Sequence, residues 1–399
     1  MADLRDDFLW GAATSPHQVE GNNVNSDWWA LETALDSPLP ERSGDADDSY
    51  HRYAQDMRLL ADAGLNAYRF GFEWARIEPA DGQFSRAELD HYRRMVETAR
   101  ELGLAPVVTL HHFTSPRWFA ESGGWSRPDA ADRFARYVEF VAPALEGVDW
   151  VCTINEPNMV ALMQGVRDKV FQALADGVAA DKVAAMMASL VPDAAIGDAL
   201  LASHKKAVDV VRATTAAKAG WTVAQQSFTP TSGNEEVFDR VHHDWEGFYL
   251  DAARGDDFLG VQAYTSQPVD ANGPVPHPED PGNTLTGWAY RPDAIGISLR
   301  RAWEQAGGIP LLITENGIAT GDDTRRIEYL TEALGHVADA IDAGIDVRGY
   351  LHWSALDNYE WGQWAPTFGL IAVDRTTFGR TPKPSLAWLG DRARRNALR

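Results

Sequence analysis

The stretch D-W-V-C-T-I-N-E-P, Asp149–Pro157, decides how the chain reads. An apolar run climbs to Ile154 and stops at Asn155, Glu156 and Pro157. This predicts a buried strand that delivers an amide and a carboxylate at its C-terminal tip, because Pro157 has no N–H with which to continue a ladder. A second stretch, P-L-L-I-T-E-N-G (Pro310–Gly317), has the same grammar, with Glu315 and Asn316 ending another apolar run. Two strands that each present one carboxylate at the exit predict two acids facing each other across a pocket.

Outward from these, further short apolar runs occupy Phe8–Thr14, Leu65–Trp74, Ala105–His112, Trp221–Ser227, Phe258–Tyr264 and Val347–Ser354. Helical spacings lie between them, over Tyr50–Ala63, Ser85–Leu102, Asp129–Leu145, Ala195–Ala219, Asn234–Ala253, Pro292–Gly307, Asp322–Ala343 and Pro384–Asn396. Ser85 opens its helix with the capping-box pattern S-R-A-E, and Gly103 follows its end. Strand and helix alternate eight times without a break in composition, which predicts parallel βα units. Eight such units predict an α/β fold, a single (β/α)8 TIM barrel. No Gly-rich phosphate fingerprint follows the first strand, which argues against an open doubly wound sheet. The whole chain, 1–399, reads as one domain with loop insertions at about 21–49, 158–193 and 265–291, the second an excursion over the pocket mouth. Strand exits of a barrel share one face, so Gln18, Arg69, His111, Asn155, Glu156, Tyr264, Glu315 and Trp353 are expected to line one pocket.

Composition narrows the function. The net charge of −22 excludes partners that need basic patches, so neither nucleic acid nor an anionic membrane surface is expected. No run of 18 apolar residues is present to span a membrane. The start, M-A-D-L-R-D-D, is acidic and lacks an apolar signal core. Cys152 is the single cysteine, so no intrachain disulfide forms, and its place mid-strand reads as a small buried hydrophobe. A cytoplasmic protein is expected. The 15 Trp exceed ordinary packing need, and indole faces stack on the C–H faces of sugars.

Two carboxyls in a pocket lined by Trp and His are the apparatus of glycoside hydrolysis: one protonates the leaving oxygen, the other attacks the anomeric carbon or activates water. Arg69 stands among apolar neighbours in Y-R-F-G-F. A buried guanidinium needs an anion, with Glu315 as the candidate and Glu73 as the structural alternative. His111 and His112 are adjacent, so on a strand they point to opposite faces and do not share a metal ion. One of them is expected to meet a sugar hydroxyl. Glu360, between Tyr359 and Trp361, reads as an acceptor for sugar hydroxyls. No metal or cofactor is required by this chemistry.

Four segments then resemble glycoside hydrolase family 1, the β-glucosidase/β-galactosidase family. They are F-L-W-G-A-A-T-S-P-H-Q-V-E-G (8–21), T-I-N-E-P (153–157), I-T-E-N-G (313–317), and H-W-S-A-L-D-N-Y-E-W (352–361) with F-G-L-I-A-V-D (368–374). They span nearly the whole chain in the family's order. The resemblance implies a retaining exo-β-glycosidase of small β-D-glucosides or galactosides, able to transglycosylate, with Glu156 as acid/base and Glu315 as nucleophile. It implies that Asn155 bonds the sugar 2-hydroxyl, and that Gln18, His111, Glu360 and Trp361 bind glycone hydroxyls over Trp353 as a stacking floor. Arg69 and Tyr264 would hold Glu315 ionised and oriented, Tyr264 also lining the substrate pocket. The chain departs from the family's usual His-Trp at His111-His112-Phe113, and from its usual N-Y-Y at Gln262-Ala263-Tyr264. The loop after Trp361 offers no Lys or Arg before Asp374, which argues against a 6-phosphoglycoside substrate. An internally cutting glycanase is disfavoured by the pocket-closing Gln18 and Glu360. A non-catalytic sugar-binding barrel is disfavoured by the intact Glu156 and Glu315.

Overall fold

A computed structural model of the chain describes residues 4–175 and 191–399. Among them, eight parallel strands close into a barrel: β1 Leu9–Ala13, β2 Ala67–Gly71, β3 Ala105–Thr109, β4 Trp150–Asn155, β5 Lys218–Ala224, β6 Leu259–Gln262, β7 Leu311–Asn316 and β8 Val347–Trp353. The ring is shut by β1 on β8, in register from Leu9↔Gly349 to Ala13↔Trp353. Outer helices follow the strands in turn: α1 Ser49–Ala63, α2 Arg86–Glu101, α3 Ala130–Val141, α4 Ala194–Thr214, α5 Glu235–His242, α6 Ala294–Gln305, α7 Asp323–Asp342 and α8 Pro384–Arg395.

Local chemistry explains these elements. Ser85 Oγ accepts from Glu88 N at the start of α2 (3.3 Å), and Tyr92, Met95, Val96 and Ala99 recur at helical spacing as its buried face. Each strand then serves two cores. Val151 and Ile154 pack outward with the helices. Leu9, Ala67, Val107, Cys152, Phe258, Leu312 and Leu351 fill the barrel interior below the site, where Cys152 is fully buried. That apolar plug is the floor on which the strand exits stand.

The boundary between α4 and β5 differs from the sequence expectation. The helix expected to reach Ala219 ends at Thr214, and β5 starts at Lys218 rather than Trp221. Lys218 N donates to Asp149 O (2.8 Å), and Lys218 pairs with Trp150. Ladder pairing with β4 overrides the local helical preference there. The insertion at 21–49 carries a helix, Asp27–Thr33, capped by Ser26. Two short strands in 265–291, Pro268–Asp270 and Gly273–Pro274, form a small sheet with Thr229–Pro230. The expected excursion after β4 begins as helix Pro157–Ala175, and its 176–190 portion lies outside the described residues. Among the described residues no helix is long and apolar enough to cross a membrane.

Candidate active site

At the exit of β4 the backbone turns sharply. Asn155 N donates to His111 O and Glu156 N to Thr222 O, both 2.8 Å, so the tip is pinned between the β3 exit and β5. Glu156 itself takes φ of +46° before the helix starts at Pro157. Left-handed backbone at a non-glycine residue costs about 1–3 kcal/mol and collects at functional sites. Phe113 (+65°) and Trp361 (+48°) share the feature, and both line the same cavity. Glu315 reaches that cavity from β7, after a register shift against β6 between Ile313 and Glu315. Gly317 follows because a Cβ there would lie 2.1 Å from Trp353 O.

The two carboxyls meet different surroundings. Glu315 accepts from Arg69 Nη1 and from Tyr264 OH, both at 2.5 Å. Arg69 is fully buried, and it also donates to Thr109 Oγ1 (2.9 Å) and to Asn155 Oδ1. Glu73, the alternative partner for Arg69, instead accepts from Ala75 N and Thr114 Oγ1. Glu156 is 9% exposed. Burial pushes its carboxyl well above the ordinary range, the charge of Glu315 adds to the shift, and Arg69 offsets only part of it. One acid is thus held by a cation and a phenol, and the other is kept protonated by desolvation.

Asn155 ties these parts together. Its Oδ1 accepts from Arg69, from Thr222 Oγ1 (3.0 Å) and from Gln262 Nε2 (3.2 Å). Three donors fix which end of the amide is oxygen, so Nδ2 lies 3.2 Å from His112 Nε2. Burial holds His112 neutral, its pKa well below the usual value. Its Nε2 therefore accepts from Asn155, and its proton sits on Nδ1.

The cavity holds about 250 Å³. One wall comes from β1, β3 and β8: Gln18, His112, Trp353, Glu360, Trp361 and Phe368. Gln18 is oriented by Ser15 Oγ (2.7 Å) and by Tyr359 O (2.8 Å). Glu360 accepts from Asn358 Nδ2 (2.9 Å) and Trp353 Nε1 (3.2 Å), yet burial still pushes its pKa up to about 8. His17 stacks on Trp361, with ring centroids 5.8 Å apart. The opposite wall comes from the exits of β4, β5 and β6: Met159, Met163, Gln225, Gln226, Tyr264 and Trp288.

The structure therefore brings together Gln18, Asn155, Glu156, Tyr264, Glu315, Trp353, Glu360 and Trp361, with Arg69 behind them. It corrects the expectation for His111. That ring turns away from the cavity, with Nε2 on Ser115 Oγ (3.0 Å) and its edge against Trp125 (5.0 Å), and His112 lines the pocket instead. β3 ends at Thr109, so strand parity does not carry through to the histidines. Gln225, Gln226, Met159 and Trp288 were missed. Q-Q at a strand exit and Met directly after N-E-P were the available signals.

A barrel with one desolvated acid and one ion-paired carboxylate at the exits of β4 and β7, in a cavity walled by Trp, His and Gln, defines a glycoside hydrolase. Comparison with known proteins agrees. The sequence model for Glycosyl hydrolase family 1 matches residues 1–398. Thermostable beta-glucosidase B of Thermobispora bispora is 33% identical over 442 aligned residues, covering 99% of this chain and 91% of that protein. The crystal structure of beta-glycosidase BGL167 superposes with a TM-score of 0.90 at 43% identity, over 99% of this chain and 98% of that one. A beta-glucosidase from Thermotoga maritima, solved in complex with glucoimidazole, matches with a TM-score of 0.86 at 27% identity, over 99% of each chain. This chain belongs to glycosyl hydrolase family 1, and it is an enzyme that hydrolyses β-glycosides.

Proposed function

We propose that the protein is a retaining exo-β-glycosidase whose nucleophile is Glu315 and whose acid/base is Glu156. The observation that carries this reading is the electrostatic asymmetry of the two carboxyls. Glu315 accepts from Arg69 and Tyr264, which leaves it as an oriented anion able to attack the anomeric carbon. Glu156 is protonated in its desolvated position and gives that proton to the departing oxygen. Once Glu315 is esterified its negative charge is gone, so the main electrostatic opposition to ionising Glu156 is removed. Glu156 then takes a proton from the water that releases the sugar.

Glycone recognition falls to Gln18, His112, Glu360 and Trp361, with Trp353 as the floor and Asn155 on the 2-hydroxyl. No Lys or Arg lines the cavity among the described residues, which supports a neutral sugar over a phosphorylated one. The similarity to the Thermotoga maritima enzyme bound to glucoimidazole supports glucose as a glycone. Beta-glucosidases among the relatives support small β-glucosides as substrates. We place the enzyme in the cytoplasm: its single cysteine is buried, and its stability draws nothing from an oxidising compartment.

The test uses 2,4-dinitrophenyl β-D-glucoside with azide. Glu315→Ala should be inactive until azide is added and should then give the α-glucosyl azide. Glu156→Ala should give the β-glucosyl azide from a trapped glucosyl-enzyme. Release of an α-sugar by the wild-type protein, with no azide rescue, would overturn the retaining reading.

A further inference from the structure

We infer that Asn158 is a positioning residue for the acid/base. Its buried side-chain amide fastens the turn that carries Glu156 to the end of β5 and to a turn of π-helix, and so sets the line along which the proton reaches the leaving oxygen. This rests on the reading of Glu156 as the acid. The two carboxyls differ in how they are held. Glu315 is gripped through its side chain by Arg69 and Tyr264. The Glu156 carboxyl accepts no hydrogen bond from any described residue, and it meets Glu315, Arg69 and Glu360 only through charge. Its direction is therefore set by the main chain that carries it. Glu156 has φ of +46°, its N donates to Thr222 O (2.8 Å), and its O accepts from Val160 N (3.0 Å).

Asn158 braces that turn from the side. It is fully buried and lies two residues after Glu156, in the first turn of the helix Pro157–Ala175. Its Nδ2 donates to the O of Ala224, the last residue of β5 (2.8 Å), and to Trp245 O (3.0 Å). Two carbonyl acceptors fix which end of the amide is nitrogen, and they leave Oδ1 buried without a partner. An unpaired buried acceptor is destabilising, and an apolar residue would avoid it only by giving up both donations. Trp245 belongs to a π-turn, His243–Gly247, that directly follows α5. Such turns interrupt helices at functional sites. This one turns two acceptors toward the strands that carry the site. Trp245 O takes Asn158, and the buried Glu246 presents Oε1 to Gln226 N (2.6 Å), just past β5. Left-handed backbone at Glu156 is strained, and the Asn158 bonds hold the turn against relaxing. The acid is thus aimed by an amide that reaches to β5 and beyond it, where Glu315 is aimed by its own partners.

The test is the ratio of kcat/KM for phenyl β-D-glucoside to kcat/KM for 2,4-dinitrophenyl β-D-glucoside. Phenolate leaves poorly without a proton, whereas dinitrophenolate leaves without one, so the ratio reads proton delivery. It is read on the folded molecules alone, so lost stability by itself does not move it. A misplacement of about 1 Å costs up to about 10²-fold, and in Asn158→Ala the ratio should fall about tenfold or more. It should fall less in Asn158→Ser, whose hydroxyl can still donate one bond. The alkaline limb of kcat/KM for the phenyl glucoside should also move down, because a loosened turn lets water reach Glu156 while its charged neighbours Glu315, Arg69 and Glu360 are left in place. A wild-type ratio in both variants, with the limb unmoved, overturns the inference, whatever happens to Tm. If Asn158→Ala does not fold, Asn158→Ser decides alone. A Glu156→Ala protein whose ratio equals that of the wild type fails the assignment of Glu156 as the acid instead.

Discussion

Replacing Asn155 by Ala tests the network at the β4 exit most directly. The amide oxygen of Asn155 takes three buried donors, from Arg69, Thr222 and Gln262. Truncation orphans all three, one of them on a guanidinium with no exposure. A buried donor left unsatisfied costs about 1–3 kcal/mol, more when charged, and a water entering the vacated space recovers part of it. The net destabilisation should be about 3–5 kcal/mol, large for one substitution. At about 2 °C per kcal/mol for a chain of this size, Tm should drop by about 6–10 °C while the protein remains folded at 25 °C. Activity should fall further than misplacement of Arg69 alone explains if, as proposed, Asn155 also bonds the sugar 2-hydroxyl, a contact worth several kcal/mol in the transition state. That corresponds to roughly a 10³-fold loss in kcat/KM on a β-glucoside. The deciding assay repeats the comparison with a 2-deoxy-β-glucoside. Without the hydroxyl, the gap between wild type and Asn155→Ala should shrink to about tenfold. Equal losses on both substrates would refute the 2-hydroxyl contact, and an unchanged Tm would refute the energetics of the network.

Other expectations follow from the same geometry. Glu156→Ala should lower kcat/KM by about 10²–10⁴-fold for sugar or alkyl leaving groups and far less for dinitrophenolate, and an equal loss on both would count against its role as acid. Because burial raises the pKa of Glu156, the wild-type alkaline limb should lie well above the ordinary carboxyl range, activity falling as pH rises through it, and that limb should vanish in Glu156→Gln. Glu73 is buried and its pKa is pushed up to about 8, chiefly by desolvation. The native state therefore holds a proton that the unfolded chain releases near pH 4–5, so this group's contribution to stability is whole below that pH and is lost as pH rises to 8, on the order of 4–5 kcal/mol. Glu73→Gln should flatten that decline in denaturant melts between pH 5 and pH 8, and parallel curves for the two proteins would contradict it. His112→Asn should raise KM for the glucoside by about tenfold or more, whereas His111→Asn should act through Tm, since His111 contacts Ser115 and Trp125; the reverse pattern would return His111 to the pocket.

Much of this protein is written in local sequence. Alternating apolar strands and amphipathic helices specify a barrel because periods of 2 and 3.6 are properties of the backbone. N-E-P and T-E-N-G specify acids at strand exits because Pro157 and Gly317 end the runs for steric reasons legible in the residue itself. The pairing of Arg69 with Glu315 was also within reach, since a buried guanidinium must find an anion. What tertiary structure decided depends on neighbours distant in the chain. His112, and not His111, lines the cavity because β3 stops at Thr109 and Phe113 adopts a left-handed turn, which strand parity does not anticipate. The orientation of the Asn155 amide is set by donors on β2, β5 and β6. The raised pKa of Glu156 arises from burial and from a charge that β7 brings across the barrel. Register and closure set those distances, and neither is encoded at the residues they act upon.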